Sequence, residues 1–386
     1  MATATLTPTD TVLDELLADL RELIECESPS HDHAAVERSA DLVARLGTER
    51  LGVAPERIVV DGVHHLRWRL GDPLTPSRVV VLGHHDTVWP IGTLARQPFE
   101  IVDGELRGPG CFDMLTGLAM ALHAIADLDD PSGVTLLVTG DEELGSPTSR
   151  ALIEEEARHA AAVLVLEASA DGGALKTARK GTSLYRIDVV GRAAHAGLEP
   201  EKGVNASVEL AHQILAIAAL GDAAAGTTVT PTVAAAGTTV NTVPADARIS
   251  VDVRAWTVAE QRRVDAAVRA LVPVLDGAEL LVSGGINRTP LEESSSRALF
   301  ARAQRLAAEL GMPEVTGAAV GGASDGNFTA GVGAPTLDGL GAVGGGAHAE
   351  DEHVLVDRIL DRTVLLRALL ADLLADPVTD PPGTAS

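Results

Sequence analysis

Three short apolar runs, rich in branched aliphatic residues, alternate along the first half of the chain with segments of helical periodicity. The runs cover residues 78–82, 134–138 and 163–166, and a helix is predicted over residues 115–128. Runs of this length and composition are typical of strands that are buried on both faces of a sheet. Their alternation with helices predicts a layered α/β domain with a mixed, largely parallel sheet.

The pattern of elements changes near residue 180. Strands are predicted over residues 183–190, 229–236, 247–254 and 279–282, with helices over 204–220 and 258–272. The order strand, helix, strand, strand, helix, strand is that of the ferredoxin-like α+β unit. We therefore expect a small domain inserted into a larger one. The expected boundaries are 1–179 and 289–376 for the larger domain, 180–288 for the insertion, and 377–386 for a disordered tail.

Further helices are predicted in the larger domain on both sides of the insertion. The first begins near residue 12, and the second spans residues 34–46 and is expected to end at Gly47. After the insertion, helices are predicted over 292–310 and 359–374, with a short strand over 334–337.

Net charge and composition exclude several classes of protein. The 386 residues include 30 Lys and Arg against 55 Asp and Glu, which gives a formal net charge of −25. Such a chain has no general affinity for nucleic acid or anionic membranes, because their phosphates attract basic surfaces. The hydrophobic share of 46% is typical of a globular protein.

Targeting signals and disulfides are not expected either. Cys26 and Cys111 are the only cysteines, too few for a disulfide framework. The amino-terminal residues lack a basic, apolar leader, and no run approaches about 18 apolar residues. We therefore expect a soluble, cytoplasmic protein without a membrane span.

Histidines and carboxylates follow the predicted strands, at the ends where ligands bind in open α/β sheets. Singly, such residues are more often helix caps or solvated turns, but together they indicate a site for Zn²⁺, Mn²⁺ or Co²⁺. One further aspartate lies on a Gly/Pro loop. The set comprises His84, His85, Asp86, Asp113, Glu142, Glu143, Glu167 and His348.

Two adjacent histidines, His84 and His85, compete for one ligand position. His84 and Asp86 are two residues apart, so their side chains lie on the same side of an extended segment. The Asp86 carboxylate could then orient the His84 imidazole on a metal. The residues alone leave His84 and His85 both open as ligands, whereas His64 and His65, in a strand-like run, are expected to be structural.

Six motifs between residues 10 and 375 carry a resemblance to a known family: GHHDTV, GPGCFDM, GDEELGS, Glu167 alone, GRAAHAG and GGGAHAEDE. In order and spacing they resemble the zinc peptidases typified by glutamate carboxypeptidase, acetylornithine deacetylase and succinyl-diaminopimelate desuccinylase. The glutamate-carboxypeptidase branch is the most similar. The resemblance implies that the insertion is a lid and dimerisation domain. Leu115 and Thr116 depart from the family's Lys-Gly, which affects the loop on the substrate side.

The resemblance further implies two Zn²⁺ ions per subunit, with Co²⁺ or Mn²⁺ as alternatives. Glu142 would be the general base that accepts a proton from the water shared by the metals, and Asp86 would orient one ligand. The implied ligands are His84, Asp113 and Glu167 for one ion, and Asp113, Glu143 and His348 for the other. His84 is favoured over the alternative His85 because it holds the family's His-x-Asp register.

Substrate contacts are also implied by the resemblance. His195, in GRAAHAG, would donate a hydrogen bond to the oxyanion, in the family often across a dimer interface. Arg254 and Asn241 would hold the terminal carboxylate of the substrate, because the guanidinium fork binds carboxylates through two parallel bonds. Gly322 and Ser324 would lie in a loop beside the substrate.

Lys180 stands out because the chain is acidic. It forms a basic cluster with Lys176 and Arg179 just before the insertion. One hypothesis is that Lys180 receives a second, side-chain carboxylate of the substrate. The alternative is a solvated hinge.

The sequence thus predicts a di-zinc hydrolase that cleaves an amide bond next to a free carboxylate, in a small peptide or an N-acyl amino acid. A homodimer through the insertion is expected from the resemblance. The alternatives are an aminopeptidase or N-deacylase on the same site and a non-catalytic binding paralogue. A nucleotide-binding oxidoreductase is rejected, because the GxGxxG pattern at residues 339–344 leads to further glycines and not to a helix.

Overall fold

The computed structural model describes residues 10–72 and 77–378. Within them the chain divides into two compact units. Unit 1 is formed by the described residues of Met1–Ala178, Glu293–Val320 and Ser324–Ser386, and unit 2 comprises Arg179–Glu292 and Gly321–Ala323. Most of the predicted tail, residues 379–386, lies outside the described residues.

Helices and strands are numbered in chain order over the described residues. Helices α1 to α9 span Asp10–Glu25, His33–Leu51, Thr116–Ala126, Arg150–Ala157, Ala206–Ala218, Val258–Arg269, Glu293–Glu309, Gly326–Gly331 and Val356–Ala375. Strands β1 to β9 span Glu56–Val60, Val63–Arg69, Val79–His84, Glu100–Val102, Glu105–Arg107, Val134–Thr139, Ala162–Val165, Leu175–Arg179 and Gly181–Val190. Strands β10 to β18 span Ala194–His195, Thr228–Ala236, Thr242–Val243, Asp246–Ala255, Glu279–Arg288, Gly317–Val320, Thr336–Leu337, Gly344–Gly345 and His353–Leu355.

Unit 1 is organised around a six-stranded sheet with the order β1-β2-β6-β3-β7-β16. Strand β3 pairs in parallel with β6 and β7, and β16 pairs in parallel with β7. The β1/β2 hairpin is antiparallel, and β2 is antiparallel to β6. The predicted mixed, largely parallel α/β sheet is confirmed. Because β6, β3, β7 and β16 run in the same direction, their carboxyl ends share one edge of the sheet.

Strand β3 shows why this sheet is buried on both faces. Val79 and Val81 belong to the larger apolar cluster, which includes side chains of α1, α3 and α9. Val80 and Leu82 point the other way and pack with Ile153 of α4 and other side chains of a second cluster. Each of these aliphatic side chains stabilises the fold by about 1.5–3 kcal/mol when it is fully buried. A continuous apolar run is therefore the pattern that this strand requires.

The second helix, α2, continues past Gly47, so the predicted helix end at that residue is wrong. Gly47 lies inside α2, where a Cβ atom would clash with Cζ2 of Trp68. The helix ends at Gly52, which has a left-handed φ of 73° and donates its N–H to the Thr48 carbonyl. Gly47 is therefore explained by the close approach of the indole and not by a helix terminus.

Unit 2 contains a four-stranded antiparallel sheet with the order β11-β13-β9-β14, the short antiparallel pair β10/β12, and two helices, α5 and α6. This is the strand and helix sequence predicted for the ferredoxin-like insertion, and that part of the fold class is confirmed. Alternate residues of β9, such as Ile187 and Val189, are buried in the unit 2 core. The side chains of Asn205 and Thr257 accept hydrogen bonds from backbone N–H groups at the starts of α5 and α6. Among the described helices, none has the length and apolar character needed to cross a bilayer.

Candidate metal centre

The shared edge of the unit 1 sheet carries the predicted ligands. Strand β3 ends at His84, β6 is followed by the short 3₁₀ turn Glu142–Leu144, and β7 is followed by Glu167. His84 is 1% exposed and Glu167 is 8% exposed, so both are desolvated. Burying several carboxylates together is costly unless cations compensate them.

A first group of side chains surrounds Nε2 of His84. This atom lies 3.6 Å from Oδ1 of Asp113 and 3.7 Å from Oε1 of Glu167. Glu142 also contributes a carboxylate oxygen, since ligand atoms of His84, Glu142 and Glu167 all lie within 4.8 Å of one another. The group therefore contains a predicted general base beside predicted ligands.

A second group surrounds Nε2 of His348. This atom lies 3.2 Å from Oδ2 of Asp113 and 3.2 Å from Oε1 of Glu143. Asp113 thus directs one carboxylate oxygen at each histidine, and it is the member common to both groups. The structure brings together all five predicted metal ligands.

The hydrogen bonding of the buried His84 ring shows whether one of its nitrogens is available to a metal. Its Nδ1–H donates to the Asp86 carbonyl oxygen at 2.9 Å, which leaves a lone pair on Nε2. Among the described residues, buried Nε2 has no hydrogen-bond partner. A buried nitrogen lone pair near two carboxylates fits a borderline cation such as Zn²⁺.

Electrostatics point in the same direction. Hydrogen bonds to Asp113 and Glu143 raise the pKa of His348 to about 10. Burial alone would raise the pKa of Asp113, but contacts with His348 and His84 hold it well below its usual range. The carboxylates of Asp113 and Glu143 therefore favour a positive charge beside them, which two metal ions would supply.

Asp86 does more than the sequence predicted. Its carboxylate lies 3.4 Å from Nδ1 of His84, which agrees with an orienting role. Its Oδ1 also accepts a hydrogen bond from the backbone N–H of Glu142, and Oδ2 accepts one from Glu143, both at 3.2 Å. The Ser30 hydroxyl donates a further bond to Oδ2, at 2.7 Å. Asp86 therefore fixes the backbone of the turn that carries both glutamates.

His85, the alternative ligand, is fully buried on the other side of the strand end. Its Nε2–H donates to the His64 carbonyl at 3.0 Å, and Nδ1 lies 3.2 Å from the Ser39 hydroxyl. Burial lowers the pKa of His85 to about 4, so the ring is neutral. With both nitrogens engaged, His85 has no lone pair to offer, which favours His84.

Glu352 is a residue that the sequence reasoning missed. It is 3% exposed and lies four residues after His348, where only the GGGAHAEDE motif drew attention to it. Its carboxylate accepts hydrogen bonds from the backbone N–H groups of Phe112 and Asp113, at 2.9 and 3.0 Å. No spacing rule could have paired it with a loop some 240 residues earlier.

In unit 2, the structure places His195 and Asn241 near each other. His195 is exposed in β10, which pairs with β12, and the Ala196 N–H donates to the Asn241 carbonyl at 2.9 Å. Nδ1 of His195 accepts a hydrogen bond from the Gly197 N–H at 3.2 Å. These contacts leave its substrate role a prediction.

Arg254 and Lys180, also in unit 2, have partners of their own. The Arg254 fork binds the Asp252 carboxylate through Nε and Nη2, at 2.9 and 3.0 Å. Lys180 donates to the Gly226 carbonyl at 2.5 Å, and its ammonium lies 5.1 Å from the Trp256 ring centroid. Neither geometry requires a substrate carboxylate, and both binding roles stay predictions.

The predicted glycine and serine loop has two different environments. The Gly322 carbonyl accepts a hydrogen bond from Arg179 at 3.1 Å, within unit 2. Ser324, in unit 1, is 1% exposed, and its hydroxyl donates to Asp338 at 2.7 Å. The Ser324 side chain thus supports the loop internally, while a backbone contact with substrate at Gly322 stays a prediction.

Comparison with known proteins identifies a matching peptidase family and a related sequence. The sequence profile of peptidase family M20/M25/M40 matches residues 80–372. Carboxypeptidase G2 of Pseudomonas sp. (strain RS-16) is 32% identical over 276 residues. That alignment includes 67% of this chain and spans 65% of the length of the relative.

Solved structures share the fold at low sequence identity. Aminopeptidase PepT from Bacillus cereus superposes with a TM-score of 0.73 at 21% identity, over 94% of this chain and 99% of that one. The YXEP protein of Bacillus subtilis, described as a dinuclear metal-binding M20 peptidase, has a TM-score of 0.62 at 14% identity. It covers 95% of this chain and 99% of its own. At these identities the likeness concerns the fold.

Proposed function

Because the chain belongs to peptidase family M20/M25/M40, we propose that it is a di-metal hydrolase that cleaves an amide bond next to a free carboxylate. The substrate would be a small peptide or an N-acyl amino acid. Zn²⁺ is the proposed native metal, with Co²⁺ or Mn²⁺ as functional substitutes.

The arrangement of Asp113 carries this proposal. One of its oxygens lies 3.6 Å from His84 and the other 3.2 Å from His348. A carboxylate shared in this way between two histidine-containing groups is suited to bridge two cations. The proposed ligands are His84, Asp113 and Glu167 for the first ion, and Asp113, Glu143 and His348 for the second.

The metals would supply Lewis-acid polarisation of the scissile carbonyl and a lowered pKa for the attacking water. The residues of the chain do the rest. Glu142 accepts the proton of the water and delivers it to the leaving nitrogen, which lets the C–N bond break with a neutral amine as product. Asp86 keeps Glu142 in place through the backbone N–H of that residue, at 3.2 Å.

The proposed preference for a carboxylate beside the scissile bond rests on one observation and on the resemblance. The chain is 32% identical to carboxypeptidase G2 over the aligned region. The resemblance also implies that Arg254 holds a terminal carboxylate, a task that a guanidinium suits. The role of His195 as an oxyanion donor is carried over from the resemblance in the same way.

One observation favours a second candidate, an aminopeptidase or N-deacylase on the same metal site. The Arg254 fork already holds Asp252 at 2.9 and 3.0 Å. If that ion pair persists with substrate bound, Arg254 is not a carboxylate receptor, and the specificity for the leaving group is different.

The experiment compares hydrolysis of dipeptides and N-acyl amino acids with that of the same compounds blocked as carboxamides, using the full chain loaded with Zn²⁺. We expect activity on free carboxylates, loss with a chelator, and about two metal ions per chain. Faster hydrolysis of blocked compounds supports the second candidate. Failure to bind metal contradicts both.

The base is tested with Glu142→Gln. We expect kcat to fall by about 10²- to 10⁴-fold, with unchanged metal content, because only proton transfer is removed. Glu155→Gln, the same change at an exposed residue of α4, is the matched control. Full activity in the Glu142 variant would contradict the assignment.

We also propose that the protein is a homodimer assembled through unit 2. Leu215 of α5 is 72% exposed and Val233 of the edge strand β11 is 63% exposed. Apolar side chains this accessible, beside the edge of a sheet, are suited to association.

A cytoplasmic location, expected from the sequence, stays a prediction.

A further inference from the structure

Glu352 occupies an unusual position for a charged residue. It lies between β17 and β18, on the segment that also carries His348, and is 3% exposed. Its carboxylate accepts four hydrogen bonds. The donors are the N–H groups of Phe112 (2.9 Å), Asp113 (3.0 Å) and Gly110 (3.0 Å), and the indole N–H of Trp89 (2.7 Å).

The loop that donates three of these bonds has an irregular backbone. Gly110 has a left-handed φ of 75°, and Asp113 has non-helical angles of φ −115° and ψ 90° inside a π-helical turn. Amides in such a conformation lack the regular partners of a helix, and buried amides without partners are costly. The Glu352 carboxylate satisfies three of them at once.

We propose that Glu352 is a positioning residue that sets the distance between Asp113 and His348, and hence the affinity of the second metal position. One end of the link is the backbone N–H of Asp113 itself. The other end is four residues from His348 along the same short segment. The inference rests on the proposed function, because it assigns a purpose to Glu352 within that di-metal site.

The link acts unequally on the two metal positions. His84 and Glu167 are held by the carboxyl ends of β3 and β7, which the sheet fixes without help from Glu352. The first position shares only Asp113 with the segments that Glu352 joins, whereas the second position depends on two residues of those segments, Asp113 and His348, beside Glu143. Disturbing Glu352 therefore weakens the second ion more than the first.

Glu352→Gln is the informative change. The glutamine amide has nearly the same shape as the carboxylate. Its NH₂ group, however, cannot accept hydrogen bonds, so two of the N–H donors lose their acceptor and face another donor. We expect the second Zn²⁺ ion to bind about 10- to 100-fold more weakly, with a smaller effect on the first. The measurement is Zn²⁺ binding to the metal-free full chain in competition with a chromophoric chelator.

Two variants separate positioning from general damage. Glu350→Gln is the same change at an exposed residue two positions away and is expected to leave both constants unchanged. Trp89→Phe removes one bond to Oε2 and keeps the three backbone bonds, so its effect should be intermediate. Circular dichroism of the metal-free chains checks that each variant is folded.

If Glu352→Gln does not fold, Glu352→Asp is tested in its place. This change keeps the carboxylate but moves it away from the N–H donors, because the aspartate side chain is one methylene shorter. A folded Glu352 variant that binds both ions within twofold of the wild type overturns the proposal. Equal weakening of both ions also overturns it. If the wild type does not bind two ions, the proposed function fails instead, so the two failures are distinguishable.

Discussion

The backbone N–H of Glu142 donates a hydrogen bond to the carboxylate of Asp86 across 56 residues of sequence, at 3.2 Å. Asp86 is fully buried, and its second oxygen binds the next residue of the turn in the same way. The residue proposed to orient one ligand therefore also holds the turn that carries the proposed base. We therefore expect ligand geometry and proton transfer to be coupled through the Asp86 side chain.

Replacing Asp86 should therefore impair catalysis more than metal binding. In Asp86→Asn, one oxygen becomes an NH₂ group that faces a backbone N–H, so the turn loses a bond and gains a repulsive contact. We expect kcat to fall by about 10- to 100-fold with a smaller change in metal affinity. Ser30→Ala, which removes one bond to the same carboxylate, should have a lesser effect. Steady-state kinetics with metal analysis measures both, and unchanged kcat in Asp86→Asn would refute the coupling.

The contact between Gly47 and Trp68 predicts an unusual result for a helical glycine. Gly47→Ala should stabilise the helix by about 1 kcal/mol through its higher helix propensity. The new methyl group would, however, clash with the Trp68 indole, which destabilises the fold by about 1–3 kcal/mol. We expect net destabilisation, measured as the free energy of unfolding in urea. In a Trp68→Phe background the same change should be stabilising, and an identical effect in both backgrounds would count against the contact.

Arg254 provides a test of substrate recognition with an internal control. On β9, Arg186 pairs with Asp188 at 2.9 Å, much as Arg254 pairs with Asp252 on β13. If Arg254 binds the substrate carboxylate, Arg254→Met lowers kcat/KM about 10- to 100-fold for free carboxylates and little for carboxamides, since an interaction between charged groups is worth about 1.5–3 kcal/mol. Arg186→Met should change neither. Equal losses on both substrate types would argue for a structural role.

A buried cluster around Asp19 predicts a specific loss of stability in acid. The Asp19 carboxylate accepts hydrogen bonds from His123 and from Arg50, both at 2.8 Å. Burial would raise the pKa of Asp19, but these bonds lower it below its ordinary value. Because the folded pKa is the lower one, the stabilisation is present above the unfolded pKa, near 4, and is lost as the pH falls through the folded value.

Asp19→Asn should therefore cost about 1–3 kcal/mol of unfolding free energy at pH 7 and less at pH 3. Urea unfolding at the two pH values measures this difference. Asp14→Asn, on the exposed side of the same helix, is the control. A cost for Asp19→Asn that is the same at both values would contradict the pKa direction.

The proposed dimer predicts that a charge at Leu215 separates the subunits. Leu215→Glu replaces an exposed apolar side chain of the proposed interface with a carboxylate, which would be buried on association, so we expect a monomer by light scattering after size exclusion. Val59→Glu, at an edge strand of unit 1 that is also exposed, should leave the dimer intact. A wild-type chain that is already monomeric at micromolar concentration would refute the proposal.

The parts of the fold that could be predicted are those in which local sequence determines the structure. Runs of buried aliphatic residues predicted strands β3, β6 and β7. Because ligands bind at the carboxyl ends of parallel strands, His84 and Glu167 could be assigned to one site. The family and the fold class, including the ferredoxin-like insertion, are confirmed. The roles of individual site residues stay predictions.

Contacts made across long sequence separations could not be predicted. The close approach of Trp68 explains Gly47, but no local pattern distinguishes that glycine from a helix end. Glu352 and its donors are 239 to 263 residues apart, so only the folded chain shows that they meet. The two nitrogens of His85 are likewise engaged by groups that the His-x-Asp spacing does not reveal.

The division of unit 1 into segments has a consequence for the order in which the protein matures. The first segment carries Asp113, Glu142, Glu143 and Glu167, whereas His348 and Glu352 come only after unit 2 has been synthesised. The carboxylates of the first segment are therefore synthesised before His348 and Glu352. Of the two proposed metal positions, the one that includes His348 can be completed only after unit 2 has been translated.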